Sequence, residues 1–102
     1  MSIEKVVDSL TTFHLCDHAR QEMQRRGIEY EVVVEVLANP EQVLTINSRR
    51  KVYQSRMVTE HTNRQYLYRI FVDFDRNPPV IVTAYRTGKI TKYWRQQHEN
   101  NL

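Results

Sequence analysis

Hydrophobic positions change period once along this chain, and the change divides it in two. In the first part they recur every three or four residues. Ala19, Met23 and the aliphatic stem of Arg26 form one stripe, and Val33, Val36 and Leu37 form a second. This spacing predicts helices over 18–26 and 30–38. Asp17 is the expected N-cap of the first, and His18 would then open it at the positive end of the helix dipole. Gly27 is its expected left-handed stop, with Ile28 folding back on the last turn. Glu29 and Glu31 suit the first turn of the second helix, and Asn39-Pro40 ends it. Its β-branched run, Val32 to Val34, leaves a strand as the competing reading. Ile3, Val6, Val7 and Leu10 also follow helical spacing, as a short helix or extension over 1–12. Phe13-His14-Leu15 reads as a lead-in strand or an extended segment.

From Gln42 the period is two. Strands are predicted over 42–46, 51–57, 66–74 and 80–86, with a last short one over 90–94. The segment 66–74 is the strongest, being dense in aromatic and β-branched residues. Alternation places Tyr66, Tyr68, Ile70, Val72 and Phe74 on one face, with Leu67, Arg69, Phe71 and Asp73 on the other. In the next strand Val80, Val82, Ala84 and Arg86 should oppose Ile81, Thr83, Tyr85 and Thr87. Helices first and strands afterwards imply an α+β fold, with two N-terminal helices packed on one face of a four- to five-stranded antiparallel sheet. The other face would stay open to water and ligand. The reading is a single domain over 1–102 with a polar tail over 96–102.

Composition narrows the class. One cysteine, Cys16, excludes an internal disulfide and fits a reducing cytoplasm. No stretch is apolar enough for a membrane, and the first residues lack a signal-peptide pattern. The net charge of +3 is unevenly placed. Residues 1–47 hold four Lys and Arg against eight Asp and Glu, a net of −4. Residues 48–102 hold eleven against four, a net of +7. A basic second half points to an anionic partner, and nucleic acid is the expected one.

The candidate chemistry sits with those charges. Arg49, Arg50, Lys51, Arg56, Arg69, Arg86, Lys89, Lys92 and Arg95 interleave with Tyr53, Tyr85, Tyr93 and Trp94. Cations hold phosphates and rings stack on unpaired bases, which suits single-stranded RNA. A sheet edge defended by charge would carry the same residues. His18 is the candidate acid–base group, and Arg25 lies at the foot of the same helix. His14 and His18 do not form a metal pair if Asp17 caps the helix between them, so neither metal nor cofactor is expected. Cys16 reads as buried filler, and Asp73 and Asp75 as strand-end and turn residues.

Three stretches carry a family resemblance: Asp-His-Ala-Arg-Gln-Glu-Met-Gln-Arg-Arg-Gly-Ile from Asp17, Val-Leu-Ala-Asn-Pro from Val36, and Val-Ile-Val-Thr-Ala-Tyr-Arg from Val80. Together they resemble the domain of unknown function 4258 family over about residues 13–95. That family is similar to RelE-like toxins, which share the fold of barnase-like ribonucleases. The resemblance implies metal-independent RNA cleavage. Its partners would be RNA, free or ribosome-associated, and an antitoxin protein. By that analogy His18, Tyr85, Arg56, Arg69 and Arg86 form the catalytic set. Arg25, Arg49, Arg50, Lys51, Tyr53, Lys89, Lys92 and Tyr93 would bind the RNA. Two further readings use the same residues: a nucleic-acid- or protein-binding module without catalysis, and a regulatory subunit docking an acidic partner.

Overall fold

The computed structural model describes residues 9–59 and 62–96. Most of the helical pattern over 1–12 therefore lies outside the described residues, as does most of the polar tail. The chain runs through β1 (His14–Leu15), α1 (Asp17–Arg26), α2 (Tyr30–Ala38), β2 (Gln42–Thr45), β3 (Arg50–Val58), β4 (Gln65–Asp73), β5 (Val80–Thr87) and α3 (Ile90–Tyr93). The fold is α+β, and the strands form one sheet in the order β1-β5-β4-β3-β2. Four strands pair antiparallel, but β1 runs parallel to β5, with His14 opposite Val80 and Leu15 opposite Ile81. The sheet is thus mixed rather than wholly antiparallel. The lead-in segment passes along the outer edge of β5 on its way into α1, and the backbone groups of that edge draw it into the ladder.

Both predicted helices form. The stripe Val33, Val36 and Leu37 of α2 is fully buried, and this burial outweighs the poor helix propensity of its β-branched run. The helices pack with Tyr53, Tyr68, Ile70, Val72, Ile81 and Ala84 into one core on the sheet's inner face. The cap of α1 is Cys16, with extended backbone and no side-chain capping bond. Asp17 is therefore the first helical residue, not the cap, and His18 the second. Cys16 is half-buried, and its Sγ lies 3.9 Å from the Val82 carbonyl. At the other end Gly27 is left-handed (φ 68°), and the Ile28 N–H donates to the Met23 carbonyl.

Alternation breaks once in β5. Val72 faces Ile81 but Phe71 faces Thr83, so Val82 is an extra residue in a β-bulge. The bulge puts Ile81 with Ala84 and Arg86 on the inner face, and Val80 with Thr83, Tyr85 and Thr87 on the outer. Strict alternation assigns Val80 and Ile81 the other way round.

The segment over 90–94 is not a strand. Ile90–Tyr93 makes one short helical turn, and the chain then runs extended at Trp94. This segment lies across the outer face instead of extending the sheet. The Tyr93 and Arg95 carbonyls accept bonds from the side-chain amides of Gln54 and Gln42, at 3.3 and 2.6 Å. Val52, Gln54 and Leu67 on that face are wholly buried. The expected open face is therefore partly covered by the chain's own C-terminal segment.

Replacing Gly27 by Ala should destabilise the protein by about 1 kcal/mol in urea unfolding. A Cβ there meets no atom within 4 Å, so the cost is backbone strain alone. A variant as stable as the parent would contradict the left-handed stop.

Candidate functional site

Helical spacing puts His18, Glu22, Arg25 and Arg26 on adjoining faces of α1, and the fold turns them toward the outer edge of β5. Glu22 is buried at this junction. Thr83 Oγ1 donates to Glu22 Oε1 at 2.6 Å, and Arg26 Nη1 lies 3.4 Å from the same oxygen. The other oxygen, Oε2, receives Arg25 Nη2 at 3.3 Å and faces His18 Nε2 at 3.4 Å. Arg26 also donates to the Ala84 carbonyl at 3.1 Å and lies 5.9 Å from the Tyr85 ring centroid. The Glu22 carboxyl is held below its usual range. The Thr83 hydrogen bond is the main cause, with help from Arg26, His18 and Arg25, and burial opposes it. The His18 side chain is 68% exposed, so its Nδ1 side is open to water.

Next to this cluster Arg69 is buried under the C-terminal segment. Its Nε donates to Gln54 Oε1 at 2.8 Å and its Nη1 to Tyr85 Oη at 2.9 Å. Its guanidinium lies 4.5 Å from the Tyr93 ring centroid and 5.3 Å from that of Phe71. Gln54 in turn donates to Gln42 Oε1 at 2.8 Å. A polar row thus crosses β5, β4, β3 and β2, and every charge and amide in it has a partner, as buried polar groups require.

The expected catalytic set is therefore split. Tyr85 and Arg69 touch each other, and Arg26 joins Tyr85 to the His18–Glu22 pair. Arg56 stands apart: it makes a bidentate bond to Glu41 at 3.1 Å and stacks 3.9 Å from the Trp94 ring centroid. Arg86 points from the inner face, where it donates to Tyr68 Oη. Among the expected RNA-binding residues, Arg50 is paired with Asp73 through bonds of 2.6 and 3.2 Å, which makes Asp73 a pairing residue as well as a strand end. Tyr53 is 6% exposed in the core and faces the helices, so its ring is not presented for base stacking. Lys51 shares that inner face and lies 4.7 Å from the Phe74 ring centroid. Arg25, Arg49, Lys89 and Lys92 are exposed, and Lys92 lies 5.3 Å from the Tyr93 ring centroid. No group of three metal-ligating side chains forms among the described residues, and no helix there is long and apolar enough to cross a membrane.

Glu22, Arg26 and Thr83 were absent from the sequence-based site. The spacing of His18, Glu22 and Arg26, four apart each time, was the available signal for two of them. Thr83 lies 61 residues further along the chain, and only the packing of α1 against β5 brings it to Glu22.

A family model covers the residues of this cluster. A family described as a domain of unknown function, DUF4258, matches residues 15–86. The chain belongs to the DUF4258 family. The matched DUF4258 region runs from β1 to the end of β5, so it holds the whole Glu22 cluster and ends before α3. No curated protein and no solved structure matches the chain.

The depressed Glu22 carboxyl has a stability consequence of fixed sign. Its contribution is complete above the usual carboxylate range and is lost as pH falls below it. Glu22→Gln should therefore be less stable than the parent at neutral pH, and the gap should close as the pH falls below the usual carboxylate range. Melting curves across pH read this, and a gap that widens in acid would contradict the assignment.

Proposed function

We propose that this DUF4258 domain is a metal-independent endoribonuclease of toxin type, with a RelE-like arrangement of helices on sheet. The observation that carries the reading is the exposed His18, whose Nε2 stands 3.4 Å from a buried carboxylate and which is flanked by Arg25 and Arg26. With one ring nitrogen occupied by Glu22, the other faces solvent as a proton acceptor. In the reaction the RNA 2′-oxygen attacks the adjacent phosphorus as His18 takes its proton. The bond from phosphorus to the 5′-oxygen breaks, leaving a 2′,3′-cyclic phosphate and a 5′-hydroxyl. Tyr85 Oη accepts from Arg69, so its own hydrogen is available to the departing 5′-oxygen. Arg25 and Arg26 stabilise the negative charge on the non-bridging phosphoryl oxygens. Arg56 and Arg86 stand outside this step.

The substrate is RNA, free or on the ribosome, in a cytoplasmic setting. The partner is an antitoxin that covers the cationic edge. A binding module without catalysis remains the second reading. The internal pairing of Arg69 with Tyr85 and of Arg56 with Glu41 favours it, because those groups are committed to the fold.

Protein freed of metal with chelator should cleave single-stranded RNA to cyclic-phosphate ends. His18→Ala should lower that rate about a hundredfold, with RNA affinity and melting temperature nearly unchanged. RNA binding with no cleavage by the parent would favour the binding module. Affinity should also fall with salt and do so less steeply after Arg25→Ala. A salt-independent affinity would contradict phosphate contact.

A further inference from the structure

Cations continue past the His18 cluster, because α1 and β5 run in the same direction. Cys16 touches Val82, Glu22 touches Thr83 and Arg26 touches Ala84. Gly27 and Arg86 then line one cleft of about 300 Å³ beyond the end of α1. Ile28, Val32 and Met57 give this cleft apolar walls, and Tyr68 is also in its lining. Beside it Arg64 and Arg86 each lie 5.1 Å from the Tyr66 ring centroid. Neither makes an ion pair with a carboxylate among the described residues. Gly88 leaves room for this approach, since a Cβ there would stand 2.9 Å from Arg64 Nη2. The Tyr66 ring offers each guanidinium only a weak cation–π partner in place of a counter-charge.

We infer that Arg64 and Arg86 form a second phosphate site, which holds a backbone phosphate of the RNA while the adjoining cleft takes a base. A phosphate at this edge meets guanidinium donors that have no carboxylate partner among the described residues. The apolar walls suit a base, and Glu29 in the cleft lining keeps the phosphate at the arginine side. The strand then follows β5 from His18 past Arg26 to Arg86. This site rests on the RNA reading above, but it concerns binding and lies outside the cleavage step.

The test uses the full chain carrying His18→Ala, so that RNA survives, and a short single-stranded oligoribonucleotide read by fluorescence anisotropy across a salt series. Adding Arg64→Gln and Arg86→Gln should weaken binding at least tenfold, and flatten the slope of log affinity against log salt by about 0.7, the share of one phosphate on a single strand. Gly88→Ala displaces Arg64 without changing charge and should reproduce part of that loss. Arg64 is exposed, while Arg86 also donates to the core Tyr68 Oη, so melting temperatures close to the parent's check that the double variant keeps its core. An affinity and slope equal to the parent's in the double variant overturn the site. If RNA fails to bind the parent, the RNA reading falls, and inorganic pyrophosphate then probes the pair alone by backbone amide NMR. Shifts at Gly88 and Arg86 that the double variant lacks support an anion site, and their absence overturns it.

Discussion

The Glu22 carboxylate is the contact on which the α1 edge of this molecule depends. A carboxylate with a mostly buried side chain is costly unless its oxygens are fully engaged. Here Oε1 accepts from Thr83 and lies 3.4 Å from Arg26, while Oε2 accepts from Arg25 and faces His18. The Thr83 bond ties α1 to β5 beyond the short reach of β1, which pairs with only two residues of that strand, while the other contacts lie within α1. They also fix the orientation of three groups that carry or can carry positive charge. One interaction therefore serves docking and presentation at once, and the depressed carboxyl reflects both.

The outer face solves a different problem. Gln42, Gln54 and Arg69 are buried there, where water cannot satisfy them. Their partners come from the sheet itself and from the main chain of the C-terminal segment. Gln42 both donates to the Arg95 carbonyl and accepts from the Arg95 N–H. That double bond explains why a segment with strand-like residues crosses the sheet instead of lengthening it. Tyr93 and Trp94 then stack on Arg69 and Arg56. Rings and cations that read as a nucleic-acid surface in the sequence are, in these four cases, largely each other's partners.

Both helices and the four long strands were legible because burial enforces their periods. Val33, Val36 and Leu37 had to face inward, and so did Tyr68, Ile70 and Val72. The left-handed turn at Gly27 was legible for a similar reason, since few residues other than glycine adopt it cheaply. What escaped the sequence depended on contacts between distant segments. β1 is two residues long and joins the sheet only because β5 offers an edge. The bulge at Val82 reverses which of Val80 and Ile81 faces the core, and no local pattern announces it. His18 and Arg25 stood out as titratable or charged groups near a helix end. Their link through Glu22 to Thr83 spans 61 residues of chain and required the fold.

The account's central claim is that His18 works through Glu22 as one unit on the phosphodiester. A double-mutant cycle on metal-free RNA cleavage tests it most directly, comparing His18→Ala, Glu22→Gln and the two combined. The account predicts strong non-additivity, with the double variant losing far less than the product of the two single losses, because Glu22 acts on the reaction in large part by orienting the imidazole. Rate losses that simply multiply, or a parent protein that leaves RNA intact, would contradict it.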